Sequence, residues 1–247
     1  MNYLQGENLK HKRTFTKKLI FVAPLITVLL NSLAPLWFQI NSFNWWYVFL
    51  YPGFLTLICV LIEQRDNGKL KYTAVLTLPV SQEKVWKAKI EMAGIYVSVG
   101  NLIFLILNLA GGFVLLFTNE LELKISVWKA VAGVVCIVVI NLWQIPVCLW
   151  LSKSVGIFGT MILNTGLGSV LAILFANTSV WFLCPYSWVP YLMTWVLGIL
   201  PNGVPVTEQM EKIPYLMISV ILCISLGLFA MLSFSTGKWF EKKAVEK

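Results

Sequence analysis

The chain has 247 residues, of which 58% are apolar and only 12% charged, with mean hydropathy +0.79 and a formal charge of +8. Soluble domains carry roughly 25% charged residues, so the composition reads as an integral membrane protein. The positive charge lies beside apolar runs, where topology and anionic lipid require it, and does not imply nucleic-acid binding.

The chain begins with a polar tail, residues 1–18, in which Tyr3, Leu4 and Leu9 are set among Lys10, Lys12 and Arg13. This pattern predicts a short amphipathic helix lying on the inner leaflet. Six apolar windows follow at 19–40, 45–62, 90–117, 127–151, 157–176 and 213–234, each near the ~20 residues that a bilayer-crossing helix needs. The first is too long for a cleavable signal and contains Pro24 and Pro35. Segments of alternating apolar and polar residues are absent, which excludes a β-barrel.

Lysine and arginine assign the sides. Five precede the first window, six lie between the second and third, one is Lys153 and four follow the last, against Lys124, Lys129 and Lys212 on the opposite side. The positive-inside rule therefore places both termini and residues 152–156 in the cytoplasm. It places residues 63–89 there too, the one long polar stretch between spans. Residues 41–47 (NSFNWWY) read as an outer aromatic belt and 118–126 as a short acidic loop. The last outer segment, 177–212, combines Trp181, Trp188 and Trp195 with Pro185, Pro190, Pro201 and Pro205, which suits re-entrant or interfacial half-helices.

Polar residues within the windows are amides and hydroxyls: Asn101, Asn108, Asn141, Gln144 and Asn164. Hydrogen bonding between helices is their plainest use. Gly159, Gly166 and Ser169, at i, i+7 and i+10, predict one close-packing face open to another helix or subunit. No Lys, Arg, Asp, Glu or His lies in the interior of a window, Glu91 and Lys129 standing at window ends, which disfavours ion-coupled transport and proton relays. No catalytic constellation, no P-loop and no metal-ligand spacing is found, and the five cysteines are scattered. Any energy must come from another subunit.

In residues 63–89, Asn67-Gly68 is a turn signal and Lys69 to Thr77 mixes charge with Leu70, Tyr72 and Leu76. Leu78-Pro79-Val80-Ser81 then breaks the segment, and Ser81 is placed to cap a helix with Glu83 in its first turn. Six spans, this helix–break–helix loop, the Trp/Pro-rich outer segment and a basic C-terminus together resemble the ABC-2 type exporter permeases, and most closely those of lantibiotic immunity transporters. The resemblance covers essentially the whole chain.

The resemblance implies one domain, 1–247, with residues 1–18 as a connecting helix and 63–89 as a coupling loop. Matching positions for ATPase coupling are Glu63, Gly68, Pro79 and Lys89, with Lys69, Lys71, Tyr72 and Leu76 in the coupling helix itself. It also implies two copies of an ABC ATPase carrying the ATP and Mg, a second related permease subunit, and no catalysis or cofactor in this chain. The setting would be the bacterial cytoplasmic membrane. The substrate implied is a cationic amphipathic peptide antibiotic, expelled or cleared from the membrane. First contacts with it are expected at Trp181, Trp188 and Trp195, with Glu120, Glu122, Glu208 and Glu211 supplying opposite charge. Two alternatives stand beside this: export of a lipid, polysaccharide or drug by the same fold, and a non-transporting immunity protein that sequesters the peptide.

Overall fold

The computed structural model describes residues 3–67, 80–119, 123–206 and 215–245. Among these, regular structure is helical, with one isolated bridge between Ile199 and Pro205. The helices are α1 (Tyr3–Lys10), α2 (Phe15–Asn31), α3 (Phe38–Trp45), α4 (Tyr51–Asn67), α5 (Gln82–Asn119), α6 (Val127–Asn141), α7 (Gln144–Thr160), α8 (Gly168–Ala176), α9 (Trp188–Val196) and α10 (Tyr215–Val245). Two π-helical segments, Trp46–Leu50 and Met161–Leu167, join α3 to α4 and α7 to α8.

Four helical stretches are long and apolar enough to cross a bilayer: Pro35–Asp66, Gln82–Thr118, Gln144–Ala176 and Tyr215–Lys242. The pair α1 and α2, bent by 77°, makes a fifth if the two are counted as one span. The chain is thus an all-α protein whose apolar helices fit a membrane. Helix α10 is the most open of these, with 11% of its most apolar window buried, so most of that helix is left for lipid or a partner to cover.

The first apolar window does not form one helix. Asn31 ends α2, and Ala34 leaves the helical region at φ −122° and ψ 75° because the following Pro35 clashes with a helical predecessor. Residues 35–40 join the next helix instead. As a consequence 41–47 is no outer belt: Phe43, Trp46 and Tyr47 are buried along one helical face. The Trp46 indole donates to Asn101 Oδ1 at 3.0 Å and stacks on Phe104 at 4.8 Å. Inside the bundle the ring gains apolar contact on its faces and keeps a partner for its N–H, which an interfacial position would not improve.

Within Gln144–Ala176 the chain folds back on itself. Asn164 Nδ2 donates to Gln144 Oε1 at 2.9 Å, although 20 residues of straight helix would hold the two about 30 Å apart. The reversal falls at Gly156, whose φ of +77° and ψ of −173° belong to a region essentially restricted to glycine. Antiparallel arms then pack on α4, with Thr56 touching both.

Candidate functional site

The stems of the polar loop carry the densest charge of the described residues. Helix α4 ends at Asn67 and α5 begins at Gln82, so both rise from either side of residues 68–79, which lie outside the described residues. Helix α1 packs against α5 at this foot. It places Glu7, Lys10 and His11 on one face by their i, i+3, i+4 spacing. Lys10 Nζ donates to Glu7 at 2.6 Å and to Asp66 at 2.9 Å, while Lys89 Nζ meets Asp66 at 2.7 Å and Glu63 at 3.5 Å. Glu63 and Lys89 are wholly buried. Three carboxylates and two ammonium groups therefore tie α1, α4 and α5 together, and because an uncompensated buried ion is costly the set holds only when complete.

Their burial defines how Glu63 and Lys89 can act. They are positioning residues that brace the loop's two stems, since neither presents any surface for a partner to touch. Gly68, Lys69, Lys71, Tyr72, Leu76 and Pro79 lie outside the described residues. Sequence reasoning missed Glu7, Lys10 and Asp66. Glu7 and Lys10 share the E-x-x-K-H spacing of the tail, which was read as an amphipathic helix on the inner leaflet, and nothing local linked them to Asp66. Instead the polar face of α1 turns inward, Tyr3 and Leu4 pack on the core edge, and Leu9 points outward.

His11 closes the foot, its ring edge-on to Tyr96 at 6.1 Å, with the Tyr96 hydroxyl donating to Asn8 Oδ1 at 3.3 Å. Burial, reinforced by Lys89, Arg65 and Lys10 and opposed by Asp66, lowers its pKa from 6.5 to about 4. The packed imidazole is therefore neutral at pH 7. A depressed pKa means that α1 docking is fully retained above pH 6.5 and lost as pH falls toward about 4. Hydrogen exchange in residues 3–10, corrected for intrinsic rates, should quicken on the order of tenfold between pH 7.5 and pH 5. His11→Phe should flatten that dependence.

A second clamp sits at the same end of the bundle. Trp86, near the start of α5, stacks on Phe240 of α10 at 4.7 Å and donates to Thr236 Oγ1 at 3.0 Å. Lys153, just before the Gly156 reversal, lies 3.9 Å from the centre of the Phe240 ring. Lys238 Nζ reaches Glu83 at 3.4 Å. The N-terminal helix, the loop stems, the 152–156 turn and the C-terminal helix thus meet at one end of the molecule.

Deeper in the bundle Asn141, Gln144 and Asn164 serve one another, whereas Asn101 binds Trp46 and buried Asn108 has no side-chain hydrogen bond among the described residues. Asn164 donates to Thr56 Oγ1 at 2.8 Å and to Gln144, accepts from the Tyr186 hydroxyl at 2.9 Å, and Gln144 donates to Asn141 at 2.6 Å. This is internal bridging between helices, as expected of amides in an apolar setting.

The glycine face is divided. Gly166 is exposed and nothing stands within 4 Å of where a Cβ would be, whereas Ser169 turns inward and donates to Val48 O at 2.9 Å. Gly159, half-buried, has only the Val155 side chain nearby. The π-helical segment between them shifts the helical phase, so the i, i+7, i+10 count does not hold them on one face. Gly168 supplies a close approach instead, to the Tyr186 ring.

Residues 177–206 form short helical pieces, as their prolines suggest, but Trp188 is buried and its indole donates to Phe182 O at 3.0 Å. Trp188 is thereby withdrawn from the set of substrate contacts. Trp181, stacked on Tyr191 at 3.8 Å, and Trp195 remain partly accessible. Glu120, Glu122, Glu208 and Glu211 lie outside the described residues.

No family model, no curated protein and no solved structure matches this chain.

Proposed function

We propose that the chain is the permease subunit of an ATP-driven exporter of ABC-2 type, clearing a cationic amphipathic peptide of the lantibiotic class from the membrane of the cell that carries it. The observation that carries this reading is the buried ionic foot. A loop whose two stems are locked to each other and to α1 passes a push from outside directly into two long apolar helices. A loop without such bracing would absorb the push in its own bending.

The same reading gives six crossings: α2, 35–66, α5, 127–155, 157–176 and α10. In this arrangement the lysine-rich end, where α1, the loop stems, the 152–156 turn and α10 gather, faces the cytoplasm. ATP and Mg belong to an ATPase docking on 68–79, present in two copies, and a second related permease completes the pore. The open face of α10 and the exposed Gly166 offer surface for that subunit.

Substrate recognition falls to the outer segment. Glu208→Gln with Glu211→Gln should lower the peptide dose tolerated by expressing cells severalfold at wild-type abundance, with less effect at high salt. Survival across graded doses, with membrane levels checked by immunoblot, is the measurement. Full protection by the double variant removes the acidic segment from recognition. Protection that persists without any ATPase favours sequestration over export.

A further inference from the structure

We propose that the cleft between the α1–α2 turn and α4 binds the phosphate group of an anionic phospholipid. This cleft, about 350 Å3, is bordered by His11, Thr14, Thr16, Leu61, Gln64 and Arg65. Three independent observations converge on an anion there.

The first is an uncapped helix start. Thr14 occupies the N-cap position of the 17-residue α2 with extended backbone, φ −96° and ψ 165°, yet its hydroxyl donates backward to the His11 carbonyl at 2.9 Å. The first-turn N–H groups of α2 thus lack a side-chain acceptor at the cleft wall, and the positive end of the helix dipole is directed there.

The second is His11 itself. It is 1% exposed, borders the cleft, and among the described residues neither ring nitrogen has a hydrogen-bond partner. Buried polar groups are almost always paired, so an imidazole with both nitrogens idle marks a missing partner. Both nitrogens are shielded as the ring packs, so a phosphate oxygen in the cleft accepts from the protonated one once the ring turns toward it.

The third is uncompensated charge. The first turn of α2 has no acidic residue and holds Lys17 and Lys18, which oppose the dipole rather than complement it. Among the described residues none of Lys12, Arg13, Lys17, Lys18 and Arg65 has an ion-pair partner, and the neighbouring carboxylates, Glu7, Glu63 and Asp66, are engaged by Lys10 and Lys89. Arg13 adopts φ +60°, unusual for a residue with a Cβ, in the turn that swings the α2 start toward α4.

The surroundings select a lipid over a soluble phosphate. Phe15, on the cleft wall, is 57% exposed. It offers apolar surface to an acyl chain beside a polar headgroup site.

The test uses the purified full-length chain in detergent, with dioctanoyl phosphatidylglycerol, dioctanoyl phosphatidylcholine and inorganic phosphate as probes, reading bound lipid by native mass spectrometry and the unfolding midpoint. Phosphatidylglycerol should bind at least tenfold more tightly than phosphatidylcholine and raise the midpoint. Arg65→Gln, at an exposed position, should weaken phosphatidylglycerol binding tenfold or more without moving the unliganded midpoint, and Arg65→Lys should restore part of it. Gln64→Glu places a carboxylate on the same wall and should abolish binding independently. Equal affinity for the two lipids, or undiminished phosphatidylglycerol binding in Arg65→Gln and Gln64→Glu, would overturn the site. An equal midpoint rise with inorganic phosphate at the same concentration overturns the lipid assignment.

Discussion

Lys89→Met should remove most of the folded protein. Its ammonium is wholly buried, 2.7 Å from Asp66 and 3.5 Å from Glu63. Substitution leaves three carboxylates at the foot, Glu7, Glu63 and Asp66, with only the partly exposed Lys10 among the two ammonium groups to oppose them. Breaking a buried pair from one side costs about 3–5 kcal/mol, a large part of the roughly 5–15 kcal/mol that keeps a protein folded. Recovery of a monodisperse peak from detergent and the unfolding midpoint measure it. Adding Glu63→Gln to Lys89→Met should restore a substantial share, because it removes one buried negative charge along with the buried positive one. Lys238→Met is the control: its partners Glu83 and Glu241 are 43% and 45% exposed and the pairs are solvent-screened, so the change should leave the unfolding midpoint unmoved. An unshifted midpoint in Lys89→Met would contradict the ionic foot.

Gly156→Ala ranks next. The reversal at φ +77° and ψ −173° is nearly forbidden to any residue with a Cβ, although space around the position is open. The cost is therefore conformational, about 1–3 kcal/mol, and not steric crowding. The unfolding midpoint should fall accordingly. Gly166→Ala lies in helical backbone with equal space and no such φ, so it should be neutral or slightly stabilising. Equal midpoints for the two variants would mean that the chain turns elsewhere.

Apolar run length was enough to read an all-helical chain with helices long enough to cross a membrane and to find most helix positions, because ~20 apolar residues in series have few other uses. The break at Ala34 was in plain view as a residue before Pro35, yet the apolar composition on both sides hid it. Trp46 was read as interfacial because tryptophan usually is, and its partner Asn101 lies 55 residues away, beyond any local pattern. The ionic foot was illegible for the same reason. Glu7, Asp66 and Lys89 are each unremarkable alone, and only the packing of α1 across α4 and α5 turns them into one cluster. Phase shifts at Met161–Leu167 undid the count linking Gly159, Gly166 and Ser169, since periodicity assumes a uniform helix.

Docking of an ATPase on the braced loop is the claim on which the proposed function rests. Affinity purification of the tagged chain from its native membranes, with bound ATP hydrolysis assayed and partners identified by mass spectrometry, tests it most directly. The wild-type chain should bring down an ATP-hydrolysing subunit. A variant carrying Lys69→Glu, Lys71→Glu and Leu76→Asp should insert at normal levels and lose that subunit and its activity. Undiminished recovery of the ATPase with the triple variant, or no ATPase with the wild-type chain, would contradict it.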